Sequence, residues 1–256
     1  MASTDSTKPA LRQARAPGRG MRLRGKELRI GLLLFAVAAV LFTAWPQLDL
    51  ATSRLFFSPD TGFALERSAL VLVIHQTVPW VGRLCALLAL AVVALQWLRP
   101  GRVGPRWRRR IVQLGWVTVL GTGLLVNGAL KEGWGRARPE AVAQFGGAAS
   151  FTPALQPTRQ CSHNCSFVSG HAATGFAFMA LGLFGSRATR RRYLLVGVVG
   201  GMVLGTIRIG QGGHFASDIV FAGLAIWMTG WLLREAWLRL RARRWRRVAA
   251  PPQQRP

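Results

Sequence analysis

Three short polar patches in an otherwise apolar chain hold nearly every residue type able to do chemistry. The first is Lys131-Glu132-Gly133-Trp134-Gly135-Arg136-Ala137-Arg138-Pro139, the second Ser166-Phe167-Val168-Ser169-Gly170-His171, and the third runs from Arg208 through His214 to Asp218. Together they supply cations, a Ser-Gly pair at a helix start, and two histidines, one of them four residues before an aspartate. That inventory suits a phosphate site with acid/base chemistry. Lys131, Arg138 and Arg208 can neutralise a phosphoryl group, a guanidinium by bidentate contact and an ammonium as a point charge. Ser169 is a predicted N-cap, so the amides of Gly170 and His171 offer an anion the positive end of a helix dipole. His214 and Asp218, at i and i+4, share a face if a helix runs through both. A carboxylate bonded to one ring nitrogen fixes the tautomer and leaves the other nitrogen as a nucleophile. His171 is left to protonate the departing oxygen. Taken singly, Lys131 or Arg138 at a helix end is more often a snorkelling residue. Arg208 is the stronger pointer, because it falls in or at the edge of an apolar run, where an ionisable side chain is costly.

The elements that must position these patches are membrane spans. The 256 residues carry 34 Lys and Arg against 9 Asp and Glu, a net charge of +25, yet half are hydrophobic, and the mean hydropathy is +0.25. Neither a soluble basic protein nor a disordered cationic chain has that combination. Six apolar stretches, 29–46, 80–98, 111–130, 171–187, 193–212 and 217–237, approach the ~20 residues that a bilayer core requires. The fold class is therefore all-α, a polytopic protein of six transmembrane helices, with 66–77 a short interfacial or packed helix. Eight basic residues lie in 1–29, six in 99–110, four in 187–192 and eight in 234–256, whereas 47–79 holds only Arg54 and Arg67. By the positive-inside rule both termini are cytoplasmic, and the three polar patches share the outer face. The basic clusters serve as topology signals and do not form a nucleic-acid footprint. Trp45, Trp80 and Trp134 fall near the outer boundary, and Trp97, Trp107, Trp237 and Trp245 near the inner one.

The chain divides into a basic tail (1–28), a six-helix domain (29–237) and a second basic tail (238–256), both tails expected to lack structure. The charged lead and the Trp-Pro after the first apolar run suit a retained helix better than a cleaved leader. Gly197, Gly201 and Gly205 make a smooth ridge for close helix packing. Cys85 is read as a buried apolar residue. Cys161 and Cys165 bracket Ser-His-Asn in an outward loop, and a local disulfide, free thiols and a zinc site including His163 all stay open.

Lys131-x6-Arg138-Pro139, Ser169-Gly170-His171 and Arg208-x5-His214-x3-Asp218, in that order and topology, resemble the three-part signature of the type 2 phosphatidic acid phosphatase superfamily. Val168 stands where Pro is common, and Ile207 where Ser is common; neither position carries the chemistry in that family. The resemblance implies a metal-independent, two-step phosphoryl transfer with no cofactor. In it His214 forms a phosphohistidine, Asp218 orients it, His171 is the general acid, and Lys131, Arg138, Ser169, Gly170 and Arg208 hold the phosphate. The segments Trp45–Leu50, Cys165–Ala173 and Gly213–Asp218 look like the bacterial lipid A phosphatase branch. This implies an anionic phospholipid or lipid A substrate, a multi-pass location in the bacterial inner membrane and a periplasmic site. Phosphatidylglycerophosphate and undecaprenyl diphosphate are served by similar sites. A phosphotransferase on the same scaffold and a non-catalytic carrier are the competing classes. Against a carrier, the polar residues gather at one face and not at the midplane.

Overall fold

The structure, a computed structural model, describes residues 18–249, and side chains over 25–244. Helix α1 (Gly18–Ala44) leads through a bend into α2 (Gln47–Arg54) and a two-stranded hairpin, β1 (Phe57–Ser58) with β2 (Gly62–Phe63). Next come α3 (Ala69–Leu98) and α4 (Pro105–Trp116). The latter continues as a wider helix, Val117–Leu130, in which the Lys131 amide bonds the Val126 carbonyl, and closes in α5 (Lys131–Gly133). A long loop then precedes α6 (Gly170–Ala177), a 3-10 segment (Phe178–Gly182), α7 (Arg187–Gly210) and α8 (Ala216–Ala249). Five of these helical stretches are long and apolar enough to cross a membrane.

The layout departs from the sequence reading in three places. Residues 66–77 do not form a separate helix: from Ala69 they are the first part of the 30-residue α3, which runs straight through Pro79. Trp80 consequently lies well inside that helix and not at its start. The stretch 171–187 contains no long apolar helix, only α6 and the 3-10 segment, and every residue of α6 is buried. Its small side chains let neighbours close around it on all sides, and it carries the chain from Ser169, beside α8's first turn, to Ser186 at the other end of the bundle. The expected tails lie partly outside the described residues, but 18–28 and 238–249 continue α1 and α8 as helix. Trp245 lies outside the described side chains.

Packing places the glycine ridge against the site-bearing helices. A Cβ at Gly197, Gly201 or Gly205 would come within 2.4 Å of Met179, Phe176 or Ile219 respectively, so α7 can approach α6 and α8 only with hydrogen at those positions. At the end of the bundle away from the polar patches, Glu27 of α1 accepts from Arg190 of α7 and, at 2.7 Å, from Arg234 of α8, which ties three helices together. Cys85 is half-buried on α3.

Candidate active site

His214 lies in the bend between α7 and α8 and is fully buried. Its Nδ1–H donates to the Ser166 carbonyl at 2.7 Å, which leaves the lone pair on Nε2. Nε2 is buried and has no partner among the described residues. Burial pushes the His214 imidazole down to about 3; Lys131 and Arg208 act in the same direction, and Asp218 opposes them. The ring is therefore neutral near pH 7, the state a nucleophile needs.

Asp218 does not make the expected direct hydrogen bond. Helix α8 begins at Ala216, after His214, so the two residues do not share one helical face. The Asp218 carboxylate stands 3.6 Å from His214 Nδ1. Its lone pairs are taken by the Phe215 amide at 2.8 Å, the Ser166 hydroxyl at 2.5 Å and Arg136 at 2.7 Å. The first of these is the reach-back half of a capping box, which holds the carboxylate at the start of α8. Ser166 thus fixes the tautomer of His214, and Asp218 supplies negative charge beside the ring.

Arg136 and Asp49 lie in segments that the sequence reading quotes but receive no role there, although they hold this arrangement together. Both are completely buried. Arg136 donates to Asp218 at 2.7 Å, Asp49 at 2.8 Å, the Ser217 hydroxyl at 2.9 Å and the Thr152 carbonyl at 2.9 Å. Its guanidinium also lies over the rings of Phe215 (4.4 Å) and Phe151 (5.7 Å). Asp49, from α2, accepts in turn from the Ser217 amide at 2.8 Å and hydroxyl at 2.6 Å. The turn that delivers Arg136 needs Gly135: its φ is +67°, and a Cβ there would sit 1.8 Å from the Thr158 carbonyl oxygen.

The sequence-predicted cations separate into two buried groups and one at the rim. Lys131 and Arg208 are buried, and neither forms an ion pair among the described residues. Arg208 donates to Gln211 at 2.5 Å and to His75 Nδ1 at 3.1 Å, while its buried Nε has no partner among the described residues. It packs against Gly213, where a Cβ would come within 2.2 Å of the guanidinium. Arg138 is more exposed and donates to the Asn164 carbonyl at 3.1 and 2.9 Å. Asn164 belongs to a loop closed by a disulfide between Cys161 and Cys165. That bond uses both sulfurs, and His163 pairs instead with Glu132 at 2.7 Å. Among the described residues no three His, Cys, Asp or Glu side chains are grouped to hold a metal ion. Ser169 caps α6, its hydroxyl accepting from Ala172 N at 3.4 Å, and its own amide bonds the Asp218 carbonyl at 3.3 Å. The cap leaves the amides of Gly170 and His171 at the open end of the helix. Gly170 packs on Asn127, whose Oδ1 would lie 2.5 Å from a Cβ.

His171 is oriented by a residue that the sequence did not single out. Its Nε2–H donates to the His75 carbonyl at 2.9 Å, and the two rings stack with centroids 4.7 Å apart. Pro79, four residues after His75, has no N–H to give that carbonyl, so the acceptor is free for His171. A proline within an apolar helical stretch is the one signal that could have pointed there. Since Arg208 bonds the His75 ring, the three side chains form a continuous group. The free lone pair of His214 Nε2 and the Nε–H of Arg208, both buried and unpartnered among the described residues, beside Lys131, give a phosphorus atom and its tetrahedral oxyanion a place to bind.

A model of the PAP2 superfamily matches residues 112–242, just over half of the chain and all three polar patches. The chain belongs to the PAP2 superfamily. It is similar to a lipid A 4′-phosphatase of Francisella tularensis subsp. novicida (strain U112), at 33% identity over 214 residues that cover 80% of this chain and 92% of that protein. A lipid A 4′-phosphatase of Rhizobium etli is 40% identical over 122 residues, 47% of this chain and 46% of the relative. Another from Rhizobium leguminosarum is 37% identical over 107 residues, 42% of this chain and 46% of the relative. No solved structure matches the chain.

Proposed function

We propose that this protein hydrolyses the 4′-phosphate of lipid A at the periplasmic face of the bacterial inner membrane, through a phosphohistidine at His214 and without a metal ion. The observation that carries the reading is the buried, unpartnered Nε2 of His214 beside two buried cations that have no carboxylate partner. The names of the similar proteins support the substrate.

In the first step His214 Nε2 attacks phosphorus, the bond from phosphorus to the sugar oxygen breaks, and the His171 imidazolium, its Nε2–H held by the His75 carbonyl, gives that oxygen its Nδ1 proton. Lys131, Arg208, Arg138 and the amides of Gly170 and His171 hold the equatorial oxygens, so that charge is met by fixed dipoles and cations. The cation formed on the His214 ring is balanced by Asp218. In the second step His171 accepts a proton from water, the water oxygen bonds phosphorus, the P–N bond breaks, and inorganic phosphate leaves. The membrane reading that accompanies this chemistry has six crossings within 29–237. The segment 171–187, helix α6 with the 3-10 segment after it, is the fourth of them in chain order, and both basic termini lie in the cytoplasm. It draws support from the arginines gathered at the bundle end remote from His214.

Purified protein incubated with lipid A that bears both the 1- and the 4′-phosphate should release inorganic phosphate and yield product that fragments as the 1-monophosphate. Loss of the 1-phosphate alone would contradict the regiochemistry, and transfer of phosphate to another lipid without release would make the protein a transferase. For topology, Gly104→Cys should resist an impermeant thiol reagent in intact cells. Labelling there would put the phosphate site in the cytoplasm.

A further inference from the structure

The end of the bundle away from His214 carries a second cationic cavity that the reaction does not use. Its volume is about 430 Å³, and it lies between the first turns of α4 and the entry to α7. Arg106, Arg109 and Arg110 form one wall, and Ser186 and Thr189 part of another. Arg106 begins the helix that Lys131 ends, and Thr189 the helix that Arg208 ends, so cavity and phosphate site are separated by roughly 30 Å at ~1.5 Å per residue.

The three arginines sit at i, i+3 and i+4, one face of α4. None of them pairs with a carboxylate among the described residues, although Arg190 and Arg234 share Glu27. Aromatic rings hold two of the guanidiniums instead. Arg109 lies over Phe184 at 5.9 Å and Trp237 at 5.4 Å, and Arg110 over Trp107 at 5.1 Å and Tyr193 at 5.5 Å. A ring beneath a guanidinium holds the cation in place and leaves its N–H groups for an anion. Ser186 caps the 24-residue α7 and accepts from the Thr189 amide at 3.2 Å, so the positive end of that helix opens on the same cavity. Gln113 also lines the cavity, and its Oε1 is buried without a donor among the described residues.

A free phosphate and a lipid headgroup share this anion chemistry, and a neighbouring groove decides between them. It has a volume of about 410 Å³, shares Arg109 and Gln113 with the cavity, and is walled by Val93, Trp97, Val112 and Trp116. A molecule that fills both places has an anion on the arginines and hydrocarbon along the tryptophans. We propose that the cavity binds the headgroup of an anionic phospholipid of the inner leaflet, its phosphodiester on Arg106, Arg109 and Arg110 and an acyl chain in the Trp97–Trp116 groove. A hydroxyl of the headgroup donates to Gln113. Basic pockets between spans on the cytoplasmic side are suited to such headgroups. The inference rests on the membrane reading of the helices and not on the chemistry at His214.

Native mass spectrometry tests it on the delipidated full chain in detergent, with vanadate present to block the phosphate site. Titrants are phosphatidylglycerol, phosphatidylcholine and inorganic phosphate, for the wild type and for R106Q/R109Q/R110Q. The wild type should take up one phosphatidylglycerol in preference to phosphatidylcholine, and millimolar inorganic phosphate should not displace it. The triple variant should bind it about a hundredfold more weakly, from about fivefold per arginine. A retained thermal unfolding transition shows that the variant is folded. If the transition is lost, Arg106→Gln alone should bind about fivefold more weakly. Equal uptake of the two lipids, or unchanged affinity in the folded variants, would overturn the proposal. Displacement by inorganic phosphate would overturn the lipid assignment in favour of a free anion. A chain that binds phosphatidylglycerol in this way but releases no phosphate from lipid A would keep this site and lose the function proposed for His214.

Discussion

Replacing Arg136 by methionine should cost about 3–5 kcal/mol, the range for removing one partner from a buried ion pair. The structure places this case at the upper part of that range. Arg136 makes four hydrogen bonds of 2.9 Å or less, and two of them reach the fully buried carboxylates of Asp49 and Asp218. Without the guanidinium both acids stay in the interior, each with fewer donors than its oxygens need. Asp49 keeps the Ser217 amide and hydroxyl, and Asp218 keeps Ser166 and the Phe215 amide, so the loss stops short of two isolated charges. Protonation of one stranded acid limits it further, at about 1.4 kcal/mol per pH unit. Asp49→Asn in the Arg136→Met background removes one stranded charge, so the double variant should be more stable than the sum of the two single losses by about 1–3 kcal/mol. Unfolding in mixed micelles titrated with a denaturing detergent measures all three variants. A loss below about 1 kcal/mol for Arg136→Met, or strictly additive losses, would refute the picture of Arg136 as the charge on which both acids depend.

His171→Ala should lower turnover of the lipid ester by about 10²–10⁴-fold and largely spare an activated aryl phosphate, whose leaving group needs little protonation; equal losses on both would remove the general-acid role. The His214 ring should remain neutral at pH 5, seen as a neutral imidazole in ¹⁵N-histidine spectra, because burial holds it near 3. Since the folded state disfavours the proton, the stability tied to this ring is fully present above about pH 6.5 and falls as the pH drops toward 3; an imidazolium signal at pH 6 would contradict this. Hydrolysis should persist in excess EDTA, and vanadate should inhibit it by occupying the cation cluster. Activity abolished by chelation and restored by Mg²⁺ would count against a histidine nucleophile.

The three patches were legible because catalytic residue types stand out in an apolar chain, and Lys131, Arg208, His214 and Ser169 meet in space as their order implied. The support beneath them was not. Arg136 looks like one more basic residue in a loop, and only tertiary structure buries it between Phe151 and Phe215 against Asp49, 87 positions away. The His214–Asp218 spacing suggested a helical pair, but a helix that starts at Ala216 turns the carboxylate toward its own N-terminus. His75 acts partly through its backbone carbonyl, which no side-chain pattern reveals. Residues 171–187 read as one long apolar helix, yet the segment, rich in Gly and Ala, forms a short helix packed all round by protein and then a 3-10 segment.

The most direct test of the central claim is a rapid quench with lipid A labelled in its 4′-phosphate, followed by identification of the labelled residue. The account predicts acid-labile, base-stable phosphate on the peptide that contains His214, absent in His214→Ala and formed more slowly in His171→Ala. Label that persists in His214→Ala and disappears in His171→Ala would show that the two histidines have the opposite roles.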